Sequence, residues 1–191
     1  MRVSPLEYDL DYRSYRDARS SGLHLTDCLD YIEERLKPKK QRVGPFFSPE
    51  EDAYEGWEDA ACLGFAWEDL CVKSLEAQGH TLLRGEEVRD GIALTPDAFD
   101  VCCWRLWEFK FTWKWLGKNP PEQNWRWLMQ VKAYCRVFGT LTAVIAPMYV
   151  TGNGRPPQPT RAFRTLEFTQ TELEENWRSV LQARDQLVSR T

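Results

Sequence analysis

Asp90-Gly91 stands between two strand-like runs, HTLLRGEEVRD and IALTPDAFDV. An Asp-Gly pair tolerates the left-handed backbone of a two-residue turn, so it marks a tight antiparallel hairpin. A third strand-like run, CCWRLWEFKFTW, follows at 102–113; it is rich in aromatic residues and fits a pleated, half-buried surface. Three such runs in succession commit the middle of the chain to a sheet.

The segments on either side have a different period. Residues 48–79 open with Ser48, Pro49 and Glu51, which supply a cap, a first-turn proline and a capping-box acid. Leu63, Trp67, Leu70 and Cys71 then keep helical spacing, and Gly79 stops the helix. A shorter helix is expected at 26–36 with Thr26 as its cap. Residues 118–139 return to helix, with Asn119 as the expected cap and Gly139 as the stop. TLTAVIAPMYV at 140–150 is continuously apolar and reads as a buried strand. A last strand is expected in TRAFRTLEFT, then a C-terminal helix opened by Thr171 and Glu174. This order predicts an α/β fold, a central mixed β-sheet flanked by helices on both faces.

At 191 residues the chain suits one domain. We expect an N-terminal arm and helix at 1–47 and the main domain at 48–191. No apolar run reaches the roughly 20 residues of a membrane helix. The N-terminal stretch mixes acids and bases without an apolar core, so a cytoplasmic protein is expected. The net charge of −4 excludes binding to nucleic acid by bulk charge, and any such contact must be local. None of the six cysteines forms a C-x-x-C pair, and buried free thiols are the expected state. Cys102 and Cys103 are read as strand packing.

The chemistry concentrates in LTPDAFDVCCWRLWEFK at 94–110. Glu108 and Lys110 point to one face of a strand, and Phe109 points into the opposite layer. Pairing of 92–101 with 104–112 would bring Asp97, placed near the middle of the preceding strand, close to Glu108. Pro96 interrupts the ladder just before it. Two clustered carboxylates raise each other's pKa, a conflict that a divalent cation removes. Mg2+ suits one or two carboxylates with phosphate oxygens, and the lysine can stabilise charge on a phosphate under attack. The bare pattern also fits solvent-facing acids beside a surface ion pair.

The order of helix, acid-bearing hairpin and helix resembles the PD-(D/E)XK nuclease superfamily, with Pro96-Asp97 and Glu108-Phe109-Lys110 as its motif. It is most similar to the RecB-type and phage-exonuclease-type branch, over roughly residues 58–150. GFAWE supplies Gly64 and Glu68, where that branch carries an acid on the helix before the sheet. QVKAY supplies Gln130 and Tyr134, where it carries Q-x-x-x-Y after the lysine. The resemblance implies a restriction-endonuclease-like αβββαβ core and a Mg2+-dependent DNA nuclease, with Mn2+ as a substitute. Asp97, Glu108 and Lys110 would be catalytic. Asp97, Glu108, Glu68 and the Phe109 carbonyl would hold the metal.

Gln130 and Tyr134 would hold the DNA backbone and orient the site. Trp113 and Lys114 open a tryptophan- and cation-rich loop of the kind that binds single-stranded nucleic acid. Single-stranded DNA or duplex ends are the expected substrate. The best expectation is an exonuclease in recombination, repair or end processing, with a helicase or recombination protein as a possible partner. The alternative is an inactive nucleic-acid-binding or assembly module on the same fold. Some RecB-type relatives hold an iron–sulfur cluster through late cysteines. This chain has none after Cys135, so no cluster is expected. Asp100 is the rival to Asp97 as ligand, and His24 is a further candidate contact.

Overall fold

Asp90 and Gly91 have φ of 54° and 75°, the left-handed pair that this two-residue hairpin requires. They join β3 (Glu87–Arg89) to β4 (Ile92–Leu94), with Arg89 opposite Ile92. The computed structural model describes residues 21–36, 55–113, 116–118, 120–151 and 158–190. The expected cap at Ser48, Pro49 and Glu51, the expected cap Asn119, and Lys114 lie outside them. In it β4 also pairs in parallel with β1 (Leu23–His24), giving a small sheet in the order β1-β4-β3.

The stretch 92–101 is two strands rather than one. Thr95 and Pro96 separate β4 from β5 (Ala98–Asp100), and the two belong to different sheets. Proline has no N–H to continue a ladder, so the chain changes sheets there. Asp97 consequently sits just before β5, not in mid-strand.

The main sheet runs β2-β5-β6-β7-β8, where β2 is Leu82–Leu83, β6 is Arg105–Thr112, β7 is Thr142–Thr151 and β8 is Gln158–Arg161. A further strand, β9 (Arg164–Glu167), also pairs with β7. The β6–β7 pair is parallel and the others are antiparallel, so the sheet is mixed. β6 starts at Arg105 because residues 101–104 form the turn from β5. That turn exposes Cys102 and Cys103, so they are not strand packing. Cys28, Cys71 and Cys135 are buried free thiols, as expected.

Four α-helices are described: α1 (Leu25–Leu36), α2 (Glu55–Ala77), α3 (Trp125–Phe138) and α4 (Gln170–Val188). Strand alternation sorts them onto two faces. Leu106, Ala143 and Ile145 share one core with Leu29 of α1, Val131 of α3 and Trp177 of α4. Phe109, Val144 and Ala146 share the other with Trp67, Cys71, Val72 and Leu75 of α2. The α2 stripe is therefore 67, 71, 72 and 75; Leu63 and Leu70 are exposed. Trp67 Nε1 donates to the Ala146 carbonyl at 2.9 Å, which fixes α2 against β7.

Three helix starts differ from expectation. α1 begins at Leu25, so Thr26 lies inside it and Asp27 accepts from the His24 amide at 2.8 Å. Asn124 caps α3 by accepting from the Trp127 amide. Thr169 and Glu172 form the capping box of α4, two residues before Thr171 and Glu174. Phe168 before the box and Leu173 within the helix are both buried in the same core, the spacing of a hydrophobic staple. Among the described residues no helix is long and apolar enough to cross a membrane.

Candidate active site

Asp97, Glu108 and Lys110 meet on the wall of one cavity of about 320 Å3. The register explains why. Ala98 pairs with Trp107, so Asp97 falls beside Glu108, and Glu108 and Lys110 share the face of Leu106. Phe109 packs in the opposite layer, as expected. α3 closes the cavity with Trp127, Gln130 and Tyr134, and the junction of β1 and α1 closes it with His24, Leu25 and Thr26.

Hydrogen bonds hold the acids and the lysine in place. The Phe109 amide donates to Asp97 Oδ2 at 2.6 Å, which fixes the carboxylate against β6. Continuing the register sets Phe109 opposite Pro96. A residue in a hydrogen-bonded antiparallel pair directs its N–H and C=O to the same edge, and proline has no N–H for that carbonyl. Lys110 Nζ donates to Glu108 Oε1 and, at 3.1 Å, to Gln130 Oε1. Gln130 Nε2 donates to the Tyr134 hydroxyl at 3.0 Å, and that hydroxyl donates to the Thr95 carbonyl at 3.2 Å. Gln130 and Tyr134 thus connect Lys110 to the Thr95-Pro96 break. Tyr134 is buried.

The electrostatics is that of crowded acids. Burial, then the Asp97 charge, pushes the Glu108 pKa from 4.5 to about 8, against the pull of Lys110. Burial also raises Asp97, although Lys110, the Phe109 amide and Arg84 oppose it. Burial lowers the affinity of Lys110 for its proton, but Glu108 and Asp97 outweigh that and raise its pKa. Glu68 joins from α2: burial and the Asp97 charge carry its pKa from 4.5 to about 7.

Glu108 is fully buried, and its Oε2 has no hydrogen-bond partner among the described residues. An unpaired buried carboxylate oxygen beside two further acids fits a divalent cation, which would satisfy it and relieve the repulsion. The donor set is all oxygen, as Mg2+ or Mn2+ prefers.

Glu68 is not on the cavity wall; its carboxylate is bonded to the Arg84 guanidinium, whose Nε also donates to the Asp97 carbonyl at 3.1 Å. Arg84 is missing from the sequence reading, because one arginine between two short strands carries no pattern. Trp113 is exposed and meets Phe111 edge-on. Arg126 lines the cavity but is paired with Asp30 and Glu33 of α1. His24 lines the cavity, and its Nδ1 lies 3.9 Å from Glu86. Asp100 is absent from the wall: it turns to the other face and bonds His80 and Cys103.

No family model matches the chain, and no curated protein matches its sequence. Solved structures similar to it at a distance include the following two. An alkaline exonuclease (LHK-Exo) from Laribacter hongkongensis is 13% identical, with a TM-score of 0.48 over 69% of this chain and 70% of that one. The structure of SSO0001 is 13% identical, with a TM-score of 0.49 over 88% of this chain and 80% of that one.

Proposed function

We propose that the chain is a metal-dependent deoxyribonuclease that hydrolyses phosphodiester bonds, and that it acts as an exonuclease at DNA ends. One observation carries this reading: Asp97, Glu108 and Lys110 share a cavity wall, and the fully buried Glu108 keeps an unpaired oxygen. The residues that would hold a cation are Asp97 and Glu108, with the Phe109 carbonyl and Glu68. Mg2+, with Mn2+ as substitute, would supply Lewis-acid charge to the phosphodiester when bound.

The remaining work belongs to the chain. Lys110 sets an ammonium beside the acids, where negative charge grows on a phosphate under attack. Gln130 and Tyr134 hold that ammonium in place through their bonds to Lys110 and Thr95. Arg84 keeps Glu68 and the Asp97 backbone together. Trp113, exposed beyond the end of β6, offers a stacking face to an unpaired base, with Lys114 next to it in sequence. The net charge of −4 argues against binding by bulk charge, so a recombination or helicase protein would help to place the substrate.

The test is cleavage of end-labelled single- and double-stranded DNA in Mg2+, Mn2+ or EDTA. We expect metal-dependent cutting that leaves 5′-phosphates and starts from ends, and its loss in Glu108→Gln. Cutting that persists in EDTA, or in folded Glu108→Gln, would remove these acids from the mechanism.

A further inference from the structure

His80, Asp100 and Cys103 converge at the far end of β5 from Asp97. His80 lies in the connection from α2 to β2, Asp100 ends β5, and Cys103 lies in the turn to β6. Asp100 is fully buried, yet its neighbours Cys102 and Cys103 are exposed and His80 is half-buried. Its Oδ2 faces His80 Nδ1 at 2.5 Å and Cys103 Sγ at 2.8 Å, and its Oδ1 accepts from the Cys102 amide at 2.9 Å. One ring nitrogen, one carboxylate oxygen and one sulfur lie within 4.8 Å of one another.

We propose that His80, Asp100 and Cys103 form a second metal site, for Zn2+, distinct from the acidic cavity. The donor set selects the ion. Mg2+ and Ca2+ take oxygen ligands, whereas a mixed nitrogen, oxygen and sulfur set suits zinc. Three protein ligands leave a fourth position to water.

Zinc ligands at about 2.0–2.3 Å stand roughly 3.3–3.7 Å apart in a tetrahedron, so the two short contacts must open. His80 and Cys103 can make that adjustment, since they lie on a connection and a turn while Asp100 stays on its strand. As the zinc–sulfur bond forms, the Cys103 thiol releases its proton to solvent, and nothing is oxidised. The ion would tie β5 and the 101–104 turn to the connection that follows α2. Asp97 lies three residues along the chain from Asp100, so the tie would stiffen the segment that carries it. The site does not depend on the nuclease reading.

The test is a Co2+ titration of the full chain, with Zn2+ as competitor, in wild type and in Glu108→Gln. We expect a near-ultraviolet thiolate-to-cobalt band in both, displaced by Zn2+. Cys103→Ser should abolish the band and Cys102→Ser should keep it. His80→Ala should weaken Co2+ binding at least roughly tenfold, with circular dichroism checking each fold. In the wild type, Zn2+ should also slow alkylation of Cys103, read by peptide mass spectrometry. No band in excess Co2+, an undiminished band in Cys103→Ser, or an alkylation rate indifferent to Zn2+ would each overturn the proposal.

Discussion

Glu108 is a fully buried acid with one carboxylate oxygen unpaired, and that fixes how it responds to pH. Its pKa is about 8 against 4.5 unperturbed, and that of Glu68 is about 7 against 4.5. Between these values the folded chain binds more protons than the unfolded one, so stability falls as pH rises. Metal-free protein should therefore lose denaturation midpoint from pH 4.5 to about 8, and Mg2+ should flatten the loss. Glu108→Gln should reduce the slope, leaving the part due to Glu68 and Asp97; a midpoint that rises over the same range would contradict the burial account. Gln130 acts through Lys110, so Gln130→Ala should lower kcat roughly 10–100-fold with KM nearly unchanged. A change confined to KM would make Gln130 a substrate contact instead. At this scale the acids and lysine were legible because strand parity alone puts Glu108 and Lys110 together. Arg84 and His80 were not, because only tertiary pairing brings them to Asp97 and Asp100.

Elements were read well where one local signal stood alone. Asp90-Gly91 and Gly139 behave as written, with Gly139 closing α3 at φ 69°. Errors fall where signals overlap. Thr169-x-x-Glu172 and Thr171-x-x-Glu174 are both capping boxes in sequence, and burial of Phe168 and Leu173 selects the first. Thr169→Ala should cost about 1 kcal/mol, whereas Thr171→Ala should stay within about 0.5 kcal/mol. Denaturant midpoints of the two variants decide it, and a larger loss for Thr171→Ala would transfer the cap. The split of β4 from β5 was half legible: Pro96 announced a break, but not that the chain would leave one sheet for another. The 101–104 turn was hidden by the strand-forming composition of VCCW.

In the whole molecule, the mixed sheet with helices on both faces follows from alternation of strand and helix periods. Residues 21–36 enter the same core: Leu25, Cys28, Leu29 and Tyr31 are buried against α3 and α4. Their polar, tyrosine-rich lead-in gave no sign of this, since burial there depends on β1 finding β4. The architecture brings the Thr95-Pro96 break, the face of β6 that carries Glu108 and Lys110, and one face of α3 to a single cavity. That convergence is the central claim, and Lys110→Ala tests it most directly. Single-turnover DNA cleavage and Mn2+ affinity would be measured on the same folded sample. The account predicts a fall in cleavage of roughly 10^2–10^3-fold with Mn2+ binding retained. Wild-type cleavage by folded Lys110→Ala would contradict it.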